Sequence, residues 1–263
     1  MTHAGTTPAL AGPTPELRRI SVGGLTFEVR SSLSAGSGRP AFVLIHGIGV
    51  SHRYLARLHR ELAETSEVHS LDLPGFGRVP KPGSAVTVAQ MAAGIAGVLE
   101  DLGLSDVVLV GHSMGAQWVI ELAVQRPDLA SSVIVIGPVT DDEHRTATAQ
   151  SLALAVDTAG EPIDGNVMVF TDYLRCGPRW YLTQLRQMVS YPIEDRVAEL
   201  IRPLLIIRGG NDPIAGQAWT RRLRDRAKLA SLVTVPGHRH LVQHTAPRAV
   251  ALAIGSFLGG IRT

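Results

Sequence analysis

The fold is decided by the stretch Asp106-Val-Val-Leu-Val-Gly-His-Ser-Met-Gly-Ala-Gln-Trp118, near the middle of a chain of 263 residues. Four apolar residues before Gly111 predict a buried strand, and a helical pattern follows the motif. Glycines at positions 111 and 115 flank Ser113, so the chain can reverse sharply without a clash of Cβ atoms. A strand, G-x-S-x-G and a helix in this order indicate a nucleophile elbow, which holds the serine hydroxyl above a sheet. The pentapeptide alone is also compatible with an ordinary Gly/Ser turn.

Composition narrows the classes of protein to consider. Apolar residues make up 45% of the chain and charged residues 18%, and the formal net charge is only +2, which gives nucleic-acid binding no electrostatic support. Cys176 is the single cysteine, so no disulfide can form within the chain. The first twenty residues lack the apolar core of a signal peptide, and no apolar run is long enough to span a bilayer. We therefore expect a cytoplasmic protein without nucleic-acid or membrane partners, and its oligomeric state stays open.

The order of patterns along the chain predicts the architecture. Residues 1–16, rich in Thr, Ala, Gly and Pro, predict a disordered arm. Residues 17–140 and 201–263 begin with a hairpin around Gly23-Gly24 and then alternate strand with helix. This alternation predicts an α/β fold with a mostly parallel sheet covered on both faces. Residues 141–200 show only helical patterns and hold five of the twelve aromatic residues, which predicts a helical cap inserted into the core.

A serine hydroxyl is a weak nucleophile at neutral pH, so it needs a base within hydrogen-bond reach and an acid that orients the base. Reactive groups of parallel sheets gather where the strands end. Asp212 lies in a Gly-rich loop after the apolar run that begins at Leu204, and His238 and His240 follow the next apolar run. The order Ser, Asp, His is that of the α/β-hydrolases.

Four motifs make the resemblance to the α/β-hydrolase superfamily specific. They are His46-Gly47, Asp72-x-Pro-Gly-x-Gly77, Gly111-x-Ser-x-Gly115, and Gly209-x-x-Asp212 followed by His240. From about Leu25 to the C-terminus the chain most resembles small bacterial esterases and carbon–carbon bond hydrolases that carry a helical cap. The resemblance implies the α/β-hydrolase fold. Arg78 stands where relatives often have a small polar residue, and the sequence offers no explanation for it.

The resemblance also selects among the histidines. Aligning Val235-Pro236-Gly237 with the usual strand end puts the base at His240 rather than at His238. Relatives ordinarily have a small residue directly before the base, whereas this chain has Arg239. His244, a turn further on, is better explained as a helix or surface residue.

The acid has rivals too, because some relatives carry it after the strand that follows the elbow. Asp141 and Asp142 stand there, but they are better explained as caps of the first cap helix, which leaves Asp212 as the predicted acid.

Stabilising the oxyanion requires two backbone N–H groups. One is expected from Met114, directly after the nucleophile, and the resemblance implies Ile48 as the other. His46 is interpreted as a residue that orients its loop, not as a second base. The substrate pocket is expected to be lined by His46, Gly47, Trp118, Val139, Phe170, Tyr173, Trp180 and Tyr181.

These residues predict a serine hydrolase that cleaves a carboxylic ester or lactone of mainly apolar character through an acyl-enzyme. No metal or organic cofactor is required, because no ligand cluster or nucleotide-binding fingerprint is present in the sequence. One alternative is a hydrolase of carbon–carbon bonds in diketone-type acids, for which Arg175 or Arg179 would bind a carboxylate. Another is a ligand receptor that retains the triad but turns over slowly or not at all.

Overall fold

The structure is a computed structural model that describes residues 15–33, 40–140 and 163–261. The predicted arm, apart from its last two residues, and residues 141–162 of the predicted cap, with Asp141 and Asp142, lie outside the described residues. The described strands are β1 (Glu16–Val22), β2 (Leu25–Ser32), β3 (Phe42–Ile45), β4 (Val68–Asp72), β5 (Val107–His112), β6 (Ala130–Ile136), β7 (Leu204–Gly209) and β8 (Ala230–Val235).

These eight strands form one sheet in the order β1-β2-β4-β3-β5-β6-β7-β8. The pairs β1–β2 and β2–β4 are antiparallel, and every later pair is parallel. Gly23 and Gly24 connect β1 to β2 with φ values of 56° and 80°, which confirms the predicted hairpin with a primed turn. The sheet is therefore mostly parallel, as the alternating pattern predicted.

Helices cover both faces of the sheet. They are α1 (Ala56–Ala63), α2 (Val88–Asp101), α3 (Gly115–Gln125), α4 (Ile163–Cys176), α5 (Pro178–Ser190), α6 (Ile193–Glu199), α7 (Gln217–Arg226), α8 (Val242–Thr245) and α9 (Pro247–Ile261), with a 3₁₀ turn at His52–Leu55 before α1. Alternate residues of the central strands face opposite layers. Val107 and Leu109 of β5 pack with α2 and α3, whereas Val108 and Val110 pack with α1 and α9. Burial on both faces explains why these strands are continuous apolar runs.

The described part of the predicted cap consists of α4, α5 and α6, which we call the cap helices. Buried polar contacts fasten them to the core. The Gln117 side chain of α3 donates to the carbonyl of Met188 on α5 over 2.9 Å. Ser51 donates to the buried carboxylate of Asp172 on α4 over 2.5 Å. Because buried hydrogen-bonding groups are costly to separate from their partners, these contacts fix how the cap helices sit on the core.

Candidate active site

Ser113 occupies the turn between β5 and α3 with a φ of 57°, in the left-handed region that non-glycine residues rarely adopt. Its N–H donates to the Ile136 carbonyl of β6 over 2.9 Å. Both motif glycines are required by close packing. A Cβ at Gly111 would lie 2.3 Å from the Gly115 carbonyl oxygen, and a Cβ at Gly115 would lie 2.5 Å from the Ile45 carbonyl oxygen. The local sequence therefore permits the strained serine conformation that an elbow needs.

Asp212 and His240 form a buried hydrogen-bonded pair. The His240 Nδ1–H donates to Asp212 Oδ2 over 2.9 Å, and both residues are less than 5% exposed. The other carboxylate oxygen accepts from the N–H groups of Ile214, at 2.8 Å, and Ala215, at 2.9 Å. These two backbone bonds fix the carboxylate, and the carboxylate in turn fixes the tautomer and orientation of the imidazole.

The electrostatics of this pair favour an ionised acid. Burial alone would raise the pKa of Asp212, but the His240 ring and the two backbone N–H groups outweigh burial and hold that pKa below its usual range. Asp212 is therefore a carboxylate at neutral pH, able to stabilise positive charge on the imidazole ring.

The two other histidines of this region are engaged elsewhere. His238 Nδ1 is hydrogen bonded to Thr245 Oγ1 over 2.9 Å. His244 lies on α8, as expected for a helix residue, but it is buried and not on the surface. Of the three candidates for the base, only His240 is hydrogen bonded to Asp212 in the described structure.

The serine and the Asp212–His240 pair meet at the end of β6. Gly137 follows that strand, and a Cβ on it would lie 2.9 Å from His240 Cε1 and 3.3 Å from Asp212 Oδ2. The described contacts include no hydrogen bond between the Ser113 hydroxyl and the His240 ring, and such bonds are often long before substrate binds. Sequence reasoning missed Gly137, whose only signal was a glycine directly after an apolar run.

The loop after β3 lies against the serine. A Cβ on Gly47 would come within 2.9 Å of Ser113 Cβ, so only glycine lets the loop approach this closely. Ile48 and Met114 are both buried beside this contact. Neither of their N–H groups donates to an acceptor within the described parts of the chain. Two buried donors therefore stand near Ser113 without a protein acceptor among those residues.

A series of hydrogen bonds that sequence reasoning missed connects this loop to His240. The Gly47 N–H donates to Tyr54 Oη over 2.7 Å, and Tyr54 is also hydrogen bonded to His112 Nδ1. At the far end, the His112 Nε2–H donates to the His240 carbonyl oxygen over 2.9 Å. The Gly47 N–H can only donate, and the His240 carbonyl can only accept. A neutral His112 ring therefore carries its proton on Nε2, so its Nδ1 accepts and the Tyr54 hydroxyl must donate to it.

Burial keeps the Tyr54 and His112 side chains of this hydrogen-bond series uncharged. Burial and the neighbouring His240 lower the pKa of His112 to about 3, so its ring is neutral at physiological pH. Burial raises the pKa of Tyr54 well above its usual value. No local pattern in the sequence predicts these hydrogen bonds, because they join residues that are far apart along the sequence.

His46, interpreted from the sequence as a residue that orients its loop, makes two hydrogen bonds to loop backbone. Its Nδ1–H donates to the Gly47 carbonyl over 2.7 Å, and its Nε2 accepts from the Leu73 N–H over 3.1 Å. Burial lowers the pKa of His46, which keeps the ring neutral. The side chain thus ties the loop after β3 to the loop after β4.

Of the four cap aromatics that were predicted to line the pocket, three pack on glycines of these two loops. A Cβ on Gly49 would lie 2.4 Å from the Tyr173 ring and 3.1 Å from the Tyr181 ring. A Cβ on Gly75 would lie 2.3 Å from Trp180 Nε1. Beneath them, Trp118 is fully buried with its ring 6.3 Å from that of His46, and Val139 is buried too. Phe170 does not join this group, because its side chain is 65% exposed on α4.

Neither arginine that was considered for a carboxylate site is buried. Arg179 is exposed, and Arg175 donates to Asp172 over 3.2 Å. Among residues 15–33, 40–140 and 163–261, no three His, Cys, Asp or Glu side chains are grouped so as to hold a metal ion.

The sheet order, the elbow and the buried Asp–His pair define the class of protein. The family model described as "Alpha/beta hydrolase family" matches residues 42–253, and the chain belongs to this family. It has the α/β-hydrolase fold, and it is a hydrolase.

Individual relatives share most of the chain. It is 25% identical over 275 residues to 2-(acetamidomethylene)succinate hydrolase of Mesorhizobium japonicum, a match that spans 92% of this chain and 94% of the relative. It is also 25% identical over 241 residues to (E)-2-((N-methylformamido)methylene)succinate hydrolase of Acinetobacter baylyi, with 85% and 91% covered. The enol-lactonase of Burkholderia xenovorans LB400 superposes with a TM-score of 0.79 at 20% identity, covering 92% of this chain and all of the other, a likeness of fold.

None of the described helices is both long and apolar enough to cross a membrane.

Proposed function

We propose that this hydrolase cleaves a carboxylic ester or a lactone by acyl transfer to Ser113 and then to water. The observation that carries the proposal is the buried Asp212–His240 hydrogen bond of 2.9 Å beside a serine held at a φ of 57°. A nucleophile, a base and an orienting acid are the three parts that serine acyl transfer needs.

In the proposed mechanism, His240 Nε2 takes the proton of the Ser113 hydroxyl as its oxygen attacks the substrate carbonyl. The C–O bond of the acyl-enzyme forms through a tetrahedral intermediate, whose oxyanion accepts hydrogen bonds from the N–H groups of Ile48 and Met114. The proton on His240 passes to the leaving oxygen as the scissile C–O bond breaks. Water, deprotonated by the same histidine, then releases the acid and regenerates the serine. Removing one oxyanion donor typically costs about a hundredfold or more in rate.

The surroundings favour an apolar acyl group. Trp118, Val139, Trp180 and the pair Tyr173–Tyr181 place large or apolar side chains in this region, and the first three are buried. We propose that these side chains line the acyl pocket.

Nothing in the described contacts favours the carbon–carbon bond alternative. That reaction calls for a basic group held in the pocket to bind the substrate carboxylate. Arg175 instead lines a polar cavity that none of the predicted pocket residues lines, and Arg179 is exposed.

The test is hydrolysis of short-chain p-nitrophenyl esters and of a simple lactone by purified protein, compared with Ser113→Ala and His240→Ala. We expect both variants to lose activity. His238→Ala is the matched control for the second histidine, since that side chain contacts Thr245, and it should retain activity. Activity that survives in Ser113→Ala contradicts the nucleophile, and an inactive parent protein favours the receptor alternative.

A further inference from the structure

A polar cavity of about 400 Å³ opens where the cap helices meet the core, apart from the serine site. Three segments of the core and one residue of α4 form its wall. None of its lining residues has an apolar side chain, and they are Arg30, Ser51, His52, Arg53, Asp72, Gly77, Arg78 and Arg175.

The first acidic group of this cavity is already saturated with donors. Asp72 Oδ1 accepts from the His52 N–H over 2.6 Å. Its Oδ2 accepts from His52 Nδ1 over 2.7 Å and from Arg30 Nη1 over 2.9 Å. The carboxylate is buried, and burial alone would raise the pKa of Asp72. The contacts with His52 outweigh this effect and hold that pKa below its usual range. Asp72 therefore stays ionised and offers little acceptor capacity to a further cation.

The second acidic group, Asp172, is saturated as well. Its Oδ2 accepts from the Ser51 hydroxyl over 2.5 Å, and its side chain is fully buried behind the cavity wall. Arg53 from the core and Arg175 from α4 share the other oxygen, each through Nη1 at 3.2 Å. Each of these guanidinium groups has five N–H donors, and the described contacts use one from each.

The cavity is therefore rich in donors and poor in acceptors. Four arginines face two carboxylates, and Arg78 forms no hydrogen bond or ion pair with any residue that the structure describes. A third carboxylate, Glu28, lies 3.5 Å from Arg30, but it does not alter this excess, because it is paired more closely with Arg19 outside the cavity, at 2.6 Å. Such a cluster of guanidinium groups repels itself unless an anion occupies the space between them.

We propose that this cavity binds the phosphate group of a small ligand, with Arg78, Arg30 and Arg53 on the core side and Arg175 on the cap side. Planar guanidinium groups match the oxygen geometry of phosphate and bind it with paired hydrogen bonds. The bound group bridges the core and the cap helices, so ligand binding stabilises their junction. Arg78, which the sequence left unexplained, acquires a role here. None of the lining residues takes part in the proposed hydrolysis, so the two proposals stand or fall separately.

Isothermal titration of the full chain with inorganic phosphate, in chloride buffer at constant ionic strength, tests the proposal. We expect saturable binding of one phosphate per chain. Arg78→Ala should weaken binding about tenfold, the scale of one charge-assisted hydrogen bond, and Arg78→Lys should recover part of the loss. Arg224→Ala is the matched control, because Arg224 is a partly exposed arginine paired only with its neighbour Asp225 in the described structure.

Phenyl phosphate in a parallel titration identifies the source of the phosphate group. Equal affinity for both probes indicates a free phosphate ligand, whereas tighter binding of phenyl phosphate indicates a phosphate monoester. Thermal unfolding without phosphate checks that the Arg78 variants fold. The proposal is overturned if neither probe binds saturably, or if Arg78→Ala binds phosphate as well as Arg224→Ala does.

Discussion

The hydrogen-bond series through Tyr54 gives the sharpest prediction about how the proposed site is held together. Tyr54→Phe removes one hydroxyl and no ring surface. The hydroxyl accepts from the Gly47 N–H and donates to His112 Nδ1, so its loss leaves two buried polar groups without their partner. At about 1–3 kcal/mol for each orphaned group, the free energy of unfolding should fall by about 2–6 kcal/mol. At about 2–4 °C for each kcal/mol in a domain of this size, that corresponds to a decrease in Tm of about 4–24 °C.

Tyr191→Phe is the matched control. Tyr191 is also buried, and its hydroxyl donates to Glu121 over 2.8 Å. Glu121 keeps its hydrogen bonds from Arg196 and Gln125, so this substitution leaves no group orphaned. We expect a loss of about 1 kcal/mol and a Tm decrease of about 2–4 °C.

The two variants should differ in catalysis as well. Gly47 precedes the proposed oxyanion donor Ile48, and His112 holds the backbone of the proposed base. Small displacements of catalytic groups are costly, so Tyr54→Phe should lower kcat about tenfold to a hundredfold and change KM by less than about twofold. Urea and thermal unfolding, with steady-state ester hydrolysis, measure both effects. The reasoning is refuted if Tyr54→Phe resembles Tyr191→Phe in stability and in kcat.

Three further predictions concern the acid, a buried histidine and the loop under the cap. Asp212→Asn replaces the acceptor of the His240 Nδ1–H with an amide and favours the wrong imidazole tautomer, so kcat should fall about ten-thousandfold in ester hydrolysis, and a near-normal kcat would contradict the assigned acid. Burial lowers the pKa of His59 from 6.5 to about 4. Between these two pH values the unfolded chain is protonated at this residue and the folded chain is not. Up to about 3 kcal/mol of the stability present above pH 6.5 is therefore lost as the pH falls to 4. Urea unfolding should show a shallower decline for His59→Gln over that window, and an unchanged decline would count against it. Gly49→Ala puts a Cβ 2.4 Å from Tyr173 at a φ of 78°, so calorimetry should show a destabilisation of about 1–3 kcal/mol, and a neutral effect would mean that the Tyr173 ring moves away freely.

The strands and the Ser, Asp and His candidates were predictable because their signals are local. A strand buried on both faces must be a continuous apolar run, as in β5, and a chain reversal at this close approach needs the glycines of the motif. Element ends were less certain. Residues His52 to Ala63 carry one helical pattern, yet the segment begins with a 3₁₀ turn at His52–Leu55. Hydrophobic spacing does not distinguish the two kinds of helix over one turn.

Features that depend on long-range contacts were not predictable. Tyr54 and His112 are 58 positions apart, and nothing in either local sequence indicates that they touch. The cap aromatics were expected to share one pocket, yet their placement depends on how α4 and α5 dock on Gly49 and Gly75. Three of them pack there, whereas Phe170 faces outward. Composition identified these aromatics as a group, and only the docking of the cap helices separates them.

Covalent labelling tests the central claim most directly. A p-nitrophenyl alkylphosphonate reacts with an activated serine and releases one p-nitrophenolate per adduct formed. Intact-mass measurement and peptide mapping should find a single adduct per chain, located on Ser113, with release of p-nitrophenol in equal amount and no labelling of Ser113→Ala. An adduct on another residue, or ester hydrolysis that continues in a protein that the phosphonate does not label, would contradict the proposal that Ser113 is the nucleophile.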